Sequence, residues 1–142
     1  MKKNFLWMLL GALITVTVIL GYNFLTGYRT NVGRMSIIQI SYKGEQVYTG
    51  LSADVRDYIT EAKKTRLYFG ELPEADAIKI KARRRATLYV YPLDENSLLI
   101  RYEPQYGIAR TYKKSGYGNF NKVLKAFYEL TGDEIFNEVV KY

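Results

Sequence analysis

No charged residue occurs from Asn4 through Tyr28, and most of that run is apolar: Phe5-Leu6-Trp7-Met8-Leu9-Leu10 leads into Leu13-Ile14-Thr15-Val16-Thr17-Val18-Ile19-Leu20. A helix rises ~1.5 Å per residue, so about 20 residues cover the ~30 Å of a bilayer's hydrocarbon core. The pattern predicts a transmembrane helix over residues 5–24. Thr15 and Thr17 can return their hydroxyl bonds to the helix backbone. Trp7 near one end, with Tyr22 and Tyr28 near the other, occupies the interfacial positions that aromatics favour. A cleaved signal peptide carries a shorter apolar region, ~7–15 residues, ending at a small-x-small site. Cuts after Gly21 or Gly27 would place Ile19 or Leu25 three residues upstream, a poor match. Lys2, Lys3 and the α-amino group lie closer to the helix than Arg29 and Arg34, which predicts an N-terminus in the cytoplasm. The expected order is a cytoplasmic tail (1–4), an uncleaved signal anchor (5–24), a connector (25–34) and an extracytoplasmic domain (35–142).

Within the domain the hydrophobic period changes repeatedly. Ile38, Ile40 and Tyr42 alternate as in a strand; Lys43-Gly44 reads as a turn, and Glu45 to Thr49 as the returning strand. Val55, Tyr58, Ile59 and Ala62 fall at helical spacing behind Ser52 as N-cap, predicting a helix over Ala53 to Lys64. Four strands follow: Ile78 to Ala82, Thr87 to Tyr91, Ser97 to Tyr102 and Ile108 to Lys113. Their connections are too short for parallel crossovers, so neighbours run antiparallel. Asn119 caps a second helix with Phe120, Val123, Leu124, Phe127 and Tyr128 on one face, and Gly132 ends it. Asp133 opens a last short helix bearing Ile135, Phe136, Val139 and Val140. The predicted fold is α+β: an antiparallel sheet, made of a hairpin plus a four-stranded meander, has helices packed on one face behind one N-terminal transmembrane helix.

Composition removes several chemistries. The chain has no Cys and no His, so disulfides, thiolate metal sites, lipoprotein cleavage and most triads and zinc sites are absent. No G-x-S-x-G, S-x-x-K, Walker or EF-hand pattern is present. Two acidic pairs, Asp57 with Glu61 and Asp133 with Glu134, could in principle serve hydrolysis. The first sits among Lys and Arg on a helix face, and the second suits a helix N-terminus. The reading is not an enzyme, with no cofactor. The formal charge is +7, which favours anionic surfaces.

Two features remain as candidate sites. Lys79, Lys81 and Arg83 alternate along one strand face and run into Arg84 and Arg85, with no acid between Ala77 and Leu93. Such a patch can bind phosphate-bearing lipid or polymer, or can be the solvated face of a half-buried strand. Tyr89, Tyr91, Tyr102, Tyr106 and Tyr112 cluster in the meander with Arg101 and Arg110. If exposed together they form an aromatic surface for sugars or protein; otherwise they pack beneath the helices. The loop Glu103-Pro104-Gln105-Tyr106-Gly107 either carries specific contacts or is a plain turn.

Over about residues 62–112 the chain resembles a family of small extracytoplasmic domains from Gram-positive bacteria whose function is unknown. The similar features are Thr65-Arg66, the Leu72-Pro73 turn before Ile78-Lys79-Ile80, the Thr87 to Tyr91 strand, and Tyr102-Glu103-Pro104-Gln105-Tyr106-Gly107-Ile108. The resemblance implies topology and localisation only, and Arg83-Arg84-Arg85 lies outside it. The sequence points to a membrane-anchored extracytoplasmic accessory module that contacts a protein or an anionic envelope polymer, with nucleic acid set aside. The alternative is a structural or regulatory subunit of a membrane complex acting through its transmembrane helix, where Gly11-Ala12 would allow close packing.

Overall fold

The computed structural model describes residues 2–26, 36–49, 59, 64–83, 85–116 and 119–142. Helix α1 spans Lys2–Thr26. Its stretch Lys3–Tyr22 is long and apolar enough to cross a membrane, and none of that stretch is buried by the protein. The hydroxyls of Thr15 and Thr17 donate to the carbonyls of Gly11 and Leu13, each at 2.9 Å. The polar groups in the apolar run are thus satisfied inside the helix, as lipid requires.

The domain is α+β. Seven strands form one antiparallel sheet: β1 (Ile37–Tyr42), β2 (Glu45–Thr49), β3 (Lys64–Leu67), β4 (Ile78–Ala82), β5 (Thr87–Asp94), β6 (Ser97–Glu103) and β7 (Arg110–Ser115). Their spatial order is β2-β1-β4-β5-β6-β7-β3. Helix α2 (Phe120–Thr131) and a 3₁₀ turn (Glu134–Phe136) follow. Registers define two ends of the sheet. Ile37 pairs with Ala82, Thr87 with Glu103 and Tyr102 with Arg110, so the start of β1, the β4–β5 turn and the β6–β7 loop share what we term the proximal end. The β1–β2 turn and the β5–β6 turn lie at the distal end.

Alternation along β4, β5 and β6 sends Ile78, Ile80, Ala82, Leu88, Val90, Leu98 and Ile100 to one face. There they form a single buried cluster with Phe120, Val123, Leu124 and Phe127 of α2. Asn119 caps α2, accepting from the Lys122 N–H at 3.3 Å. Gly132, at φ 69°, closes its other end by donating to the Tyr128 carbonyl. The helix expected over 53–64 lies almost wholly outside the described residues. Within it, Ile59 is helical and fully buried in the core. The core also takes in Lys114, only 1% exposed, whose Nζ donates to the Ile59 carbonyl at 2.7 Å. That bond offsets part of the cost of withdrawing an ammonium group from water.

Four local readings are corrected. In β1 the buried residues are Ile37, Ile40 and Tyr42, while Ile38 is largely exposed. The pairing with β4 shifts between Ile37 and Gln39, so a bulge resets the phase of alternation. Lys64, which the sequence placed at a helix end, forms edge strand β3 with Thr65, Arg66 and Leu67 against β7. Ile108 is not in a strand: it stands in the β6–β7 loop, 77% exposed. The last helix is reduced to the 3₁₀ turn, which buries Phe136 and leaves Val139 exposed.

Strands at alternate positions of an antiparallel sheet point the same way, so β2, β3 and β4 are parallel to one another. The β2-to-β3 connection crosses the whole sheet, and residues 68–77 cross back over three strands. Right-handed crossovers that travel in opposite directions must pass over opposite faces. The first carries Ile59 into the core. On the face opposite the core, Leu99 is fully buried yet outside the core cluster, as a return crossing over that face would leave it. Leu72 and Pro73, both half-buried, belong to this return crossing. Neither face of the sheet is bare.

The C-terminal segment closes the core. The Tyr42 ring stacks on Phe136, with centroids 5.9 Å apart, and Phe136 in turn meets Phe127 at 5.8 Å. The Tyr42 hydroxyl donates to the Glu138 carboxylate, and Lys43 Nζ lies 2.6 Å from its other oxygen. Asn121 exchanges two hydrogen bonds with the Val140 backbone, at 2.9 and 2.7 Å. Burial acts to raise the Glu138 pKa, but the hydrogen bonds from Lys43 and Tyr42 and the Lys43 charge outweigh it and hold the carboxyl below its ordinary value. A carboxyl lowered in the folded state stabilises the fold above its unfolded pKa of ~4.3, and that contribution fades as pH falls through the lower folded value. The melting temperature of the wild type should therefore fall more steeply between about pH 6 and about pH 3 than that of Glu138→Gln, whose side chain cannot titrate. Parallel declines in thermal scans would show that the Glu138 charge does not hold the tail.

Candidate functional site

The basic run expected to form one strand face divides into two parts. Lys79 and Lys81 leave β4 on the face opposite the core, pairing across with Tyr89 and Thr87. Lys79 is half-buried with its Nζ 5.6 Å from the centre of the Tyr89 ring, so its charge is partly engaged. Lys81 is exposed. Arg83 and Arg85 belong to the tight β4–β5 turn and are also exposed; Arg84 lies outside the described residues. The turn is closed by the Ala82 N–H donating to Ala86 O at 2.9 Å and by the Arg85 N–H donating to Ala82 O at 3.1 Å. The Arg83 N–H donates to Ser36 O at 3.1 Å, which fastens the turn to the start of β1.

Arg85 holds φ at 57°, in the left-handed region. Glycine or asparagine occupies this conformation cheaply, whereas a side chain such as arginine costs ~1–2 kcal/mol there. The β1–β2 turn has a similar demand, and there the second residue is Gly44, at φ 78° beside Lys43 at 50°. Both positions of that two-residue turn have the positive φ that a type I′ hairpin requires. Arg85, like Lys43, thus stands at a turn position that glycine or asparagine would fill at lower cost.

The aromatic candidates do not form one surface. Tyr89 and Tyr91 share the face opposite the core, stacked at 6.5 Å, and both are half-buried. Burial pushes the Tyr91 phenol up despite the nearby Arg101 charge. Arg101 itself is tied to Glu103 at 2.8 Å. Tyr102 packs against the core from the other face. Tyr112, opposite Ile100, is fully buried, which corrects its assignment to an exposed surface. Pairing with β6 fixes the phase of β7, and the polar sequence of β7 gives little hint of it. Only Tyr106, in the β6–β7 loop, is strongly exposed, at 84%. Arg110 begins β7 opposite Tyr102 and is half-buried.

The acidic pairs divide likewise. Asp57 and Glu61 fall outside the described residues. Asp133 accepts from the Ile135 N–H at 3.0 Å, and Glu134 accepts from the Tyr128 hydroxyl at 3.1 Å, so both are engaged in local structure. Among the described residues no group of three His, Cys, Asp or Glu could hold a metal. Two open hollows flank the β5–β6 turn at the distal end, lined by polar residues including Glu95, Asn96, Asn119 and Asn121 in one and Asp94, Ser97 and Lys113 in the other. In the second, Asp94 accepts from Ser97 Oγ and the Asn96 N–H, which makes it a turn-forming residue. The Ser97 hydrogen bond, followed by the Asn96 N–H and the Lys113 charge, lowers the Asp94 pKa against the opposing effect of burial.

Of the candidate basic run, Lys81, Arg83 and Arg85 stand exposed at the proximal end. Sequence reasoning found these residues through their spacing. It did not find their separation from Lys79, which depends on the return crossing over the outer face. Compared with protein-family models, curated proteins and solved structures, the chain has no match.

If Arg85 is kept at a cost, Arg85→Asn should raise stability by up to ~1 kcal/mol, read as a higher midpoint in thermal unfolding of the detergent-solubilised chain. A fall in stability would show that the arginine side chain is itself structural.

Proposed function

We propose that the protein is a non-catalytic accessory module, tethered to the cell membrane by α1 with its domain outside, that binds a phosphate-bearing anionic ligand through Lys81, Arg83 and Arg85. The observation that carries this reading is the placement of the three cations. They are exposed together around one tight turn, and that turn is hydrogen-bonded to the first residues of β1, where the chain arriving from α1 joins the sheet. Guanidinium groups suit phosphate oxygens because they present several donors in a plane. The apolar helix supports the membrane tether, and Lys2 and Lys3 ahead of it support an N-terminus inside.

Two measurements test this. Protease added to intact protoplasts should digest the domain and leave a fragment containing α1; full protection would reject the outward orientation. For the ligand, the full chain in neutral detergent should bind polyphosphate and not dextran, with affinity falling as salt rises. The variant Lys81→Ser/Arg83→Ser/Arg85→Ser should lose at least about tenfold in affinity, because three charge contacts of about 1 kcal/mol each are removed. Its melting temperature should change little, since the three side chains are exposed. Equal retention on dextran, or undiminished binding by the variant, would return these residues to the role of a solvated turn.

A further inference from the structure

The proximal end holds more than charge. Leaving α1 aside, Phe69, Tyr106 and Ile108 are among the most exposed large hydrophobic residues described, at 86%, 84% and 77%. Tyr106 and Ile108 stand in the β6–β7 loop, beside the β4–β5 turn, because Thr87 of β5 pairs with Glu103 of β6. Phe69 follows β3, whose Leu67 pairs with Tyr112, and the Tyr68 N–H extends that pairing to Thr111 O. Its place is therefore also at the proximal end. Three apolar tips and the exposed Lys81, Arg83 and Arg85 are thus ranged along the proximal end, from the β4–β5 turn to the β3 edge. Glu103, the acid at this end of β6, is already paired with Arg101.

The distal end differs in kind. It carries Asp94 and Glu95 in the β5–β6 turn, with Lys113 4.0 Å from Asp94, and at the β1–β2 turn Glu45 and the Glu138 carboxylate, the latter paired with Lys43. Two exposed hydrophobic residues sit there: Val139, between Glu138 and Val140, which are both bonded to distal groups, and Tyr142, beside Glu95 and Asn96.

We propose that the proximal end docks on the bilayer that holds α1, with Tyr106, Ile108 and Phe69 entering the interface and Lys81, Arg83 and Arg85 meeting lipid phosphates. This deepens the anion-binding reading by naming the ligand's source, and it rests on α1 being a membrane span. Three observations select the membrane over other occupants. The combination of apolar tips with flanking cations is that of interfacial binding, in which apolar area and attraction to anionic lipid act together. The tether joins the sheet at this end: Ser36, just before β1, accepts from the Arg83 N–H of the β4–β5 turn. The distal end mixes lysines with the exposed acids Glu45 and Glu95, which an anionic surface would repel, whereas the β4–β5 turn carries cations and no acid.

Trp7 is the chain's one tryptophan, which allows anchor and domain to be read separately. The full chain is reconstituted in vesicles of phosphatidylglycerol and phosphatidylcholine carrying bromine on the acyl chains near the headgroup. Quenching of Trp7 reports insertion of α1. The double variant Trp7→Phe/Ile108→Trp should also be quenched, and adding Arg83→Ser and Arg85→Ser, or raising salt, should reduce that quenching at least twofold. The double variant Trp7→Phe/Val139→Trp, equally exposed at the other end, should remain bright. If Trp7 is quenched while Trp at 108 is not, or if 108 and 139 are quenched alike, docking by this end is overturned and the anchor stands. If Trp7 itself is unquenched, the membrane reading fails and the docking proposal fails with it. Polyphosphate binding that persists alongside an unquenched Trp at 108 would identify a soluble polymer as the ligand.

Discussion

The chain crosses its own sheet twice, and handedness sends the two crossings over opposite faces. Between β2 and β3, Ile59 belongs to the core cluster that also holds Ile80, Leu88, Val90 and Ile100. The return crossing, residues 68–77, lies over the side where Leu99 is buried. Once both faces are occupied, a ligand has few places to meet this domain. The strand edges and the two ends remain, and the ends differ from each other in charge and in apolar exposure. The candidate site follows from that exclusion as much as from the basic residues themselves.

Packing around the C-terminal tail shows where the margins of stability lie. Tyr42 has its ring inside the aromatic cluster and its hydroxyl on Glu138, so one residue joins the apolar core to an ion pair at its rim. Removing an aromatic of this kind from a core costs about 3–5 kcal/mol. The exposed Lys43–Glu138 pair alone contributes far less. The tail is therefore held chiefly by Phe136 and the Asn121–Val140 bonds, with the carboxylate adjusting how firmly it is held as pH changes.

Much of this architecture is legible in the sequence wherever apolar residues mark a period. The face of α2 at Phe120, Val123, Leu124 and Phe127 is read directly, as are the alternations of Ile78–Ala82 and Thr87–Tyr91. What escapes has physical reasons. A bulge at Ile38 shifts the phase of β1 without leaving a glycine or proline as a sign. Strand β3 is four residues long, too short for a period to show, and exists because β7 offers it an edge. Tyr112 and Lys114 face inward because β7 takes its register from β6, although Lys114 read alone belongs outside. Of the candidate site, Lys81, Arg83 and Arg85 are evident from charge spacing. Their association with Tyr106 and Ile108 is not, because it comes from sheet register between segments separated along the chain.

The bond from Tyr42 to Glu138 joins residues 96 positions apart. Such separations slow folding, because a long loop must close before its contacts reward it. They also impose a schedule. A chain synthesised from its N-terminus cannot complete the cluster of Tyr42, Phe127 and Phe136 until Phe136 has emerged. At ~5–20 residues per second the segment after β1 stays without its core for several seconds. The contacts that lock the fold are thus supplied by Phe136 and Glu138, which are made long after the strand they close upon.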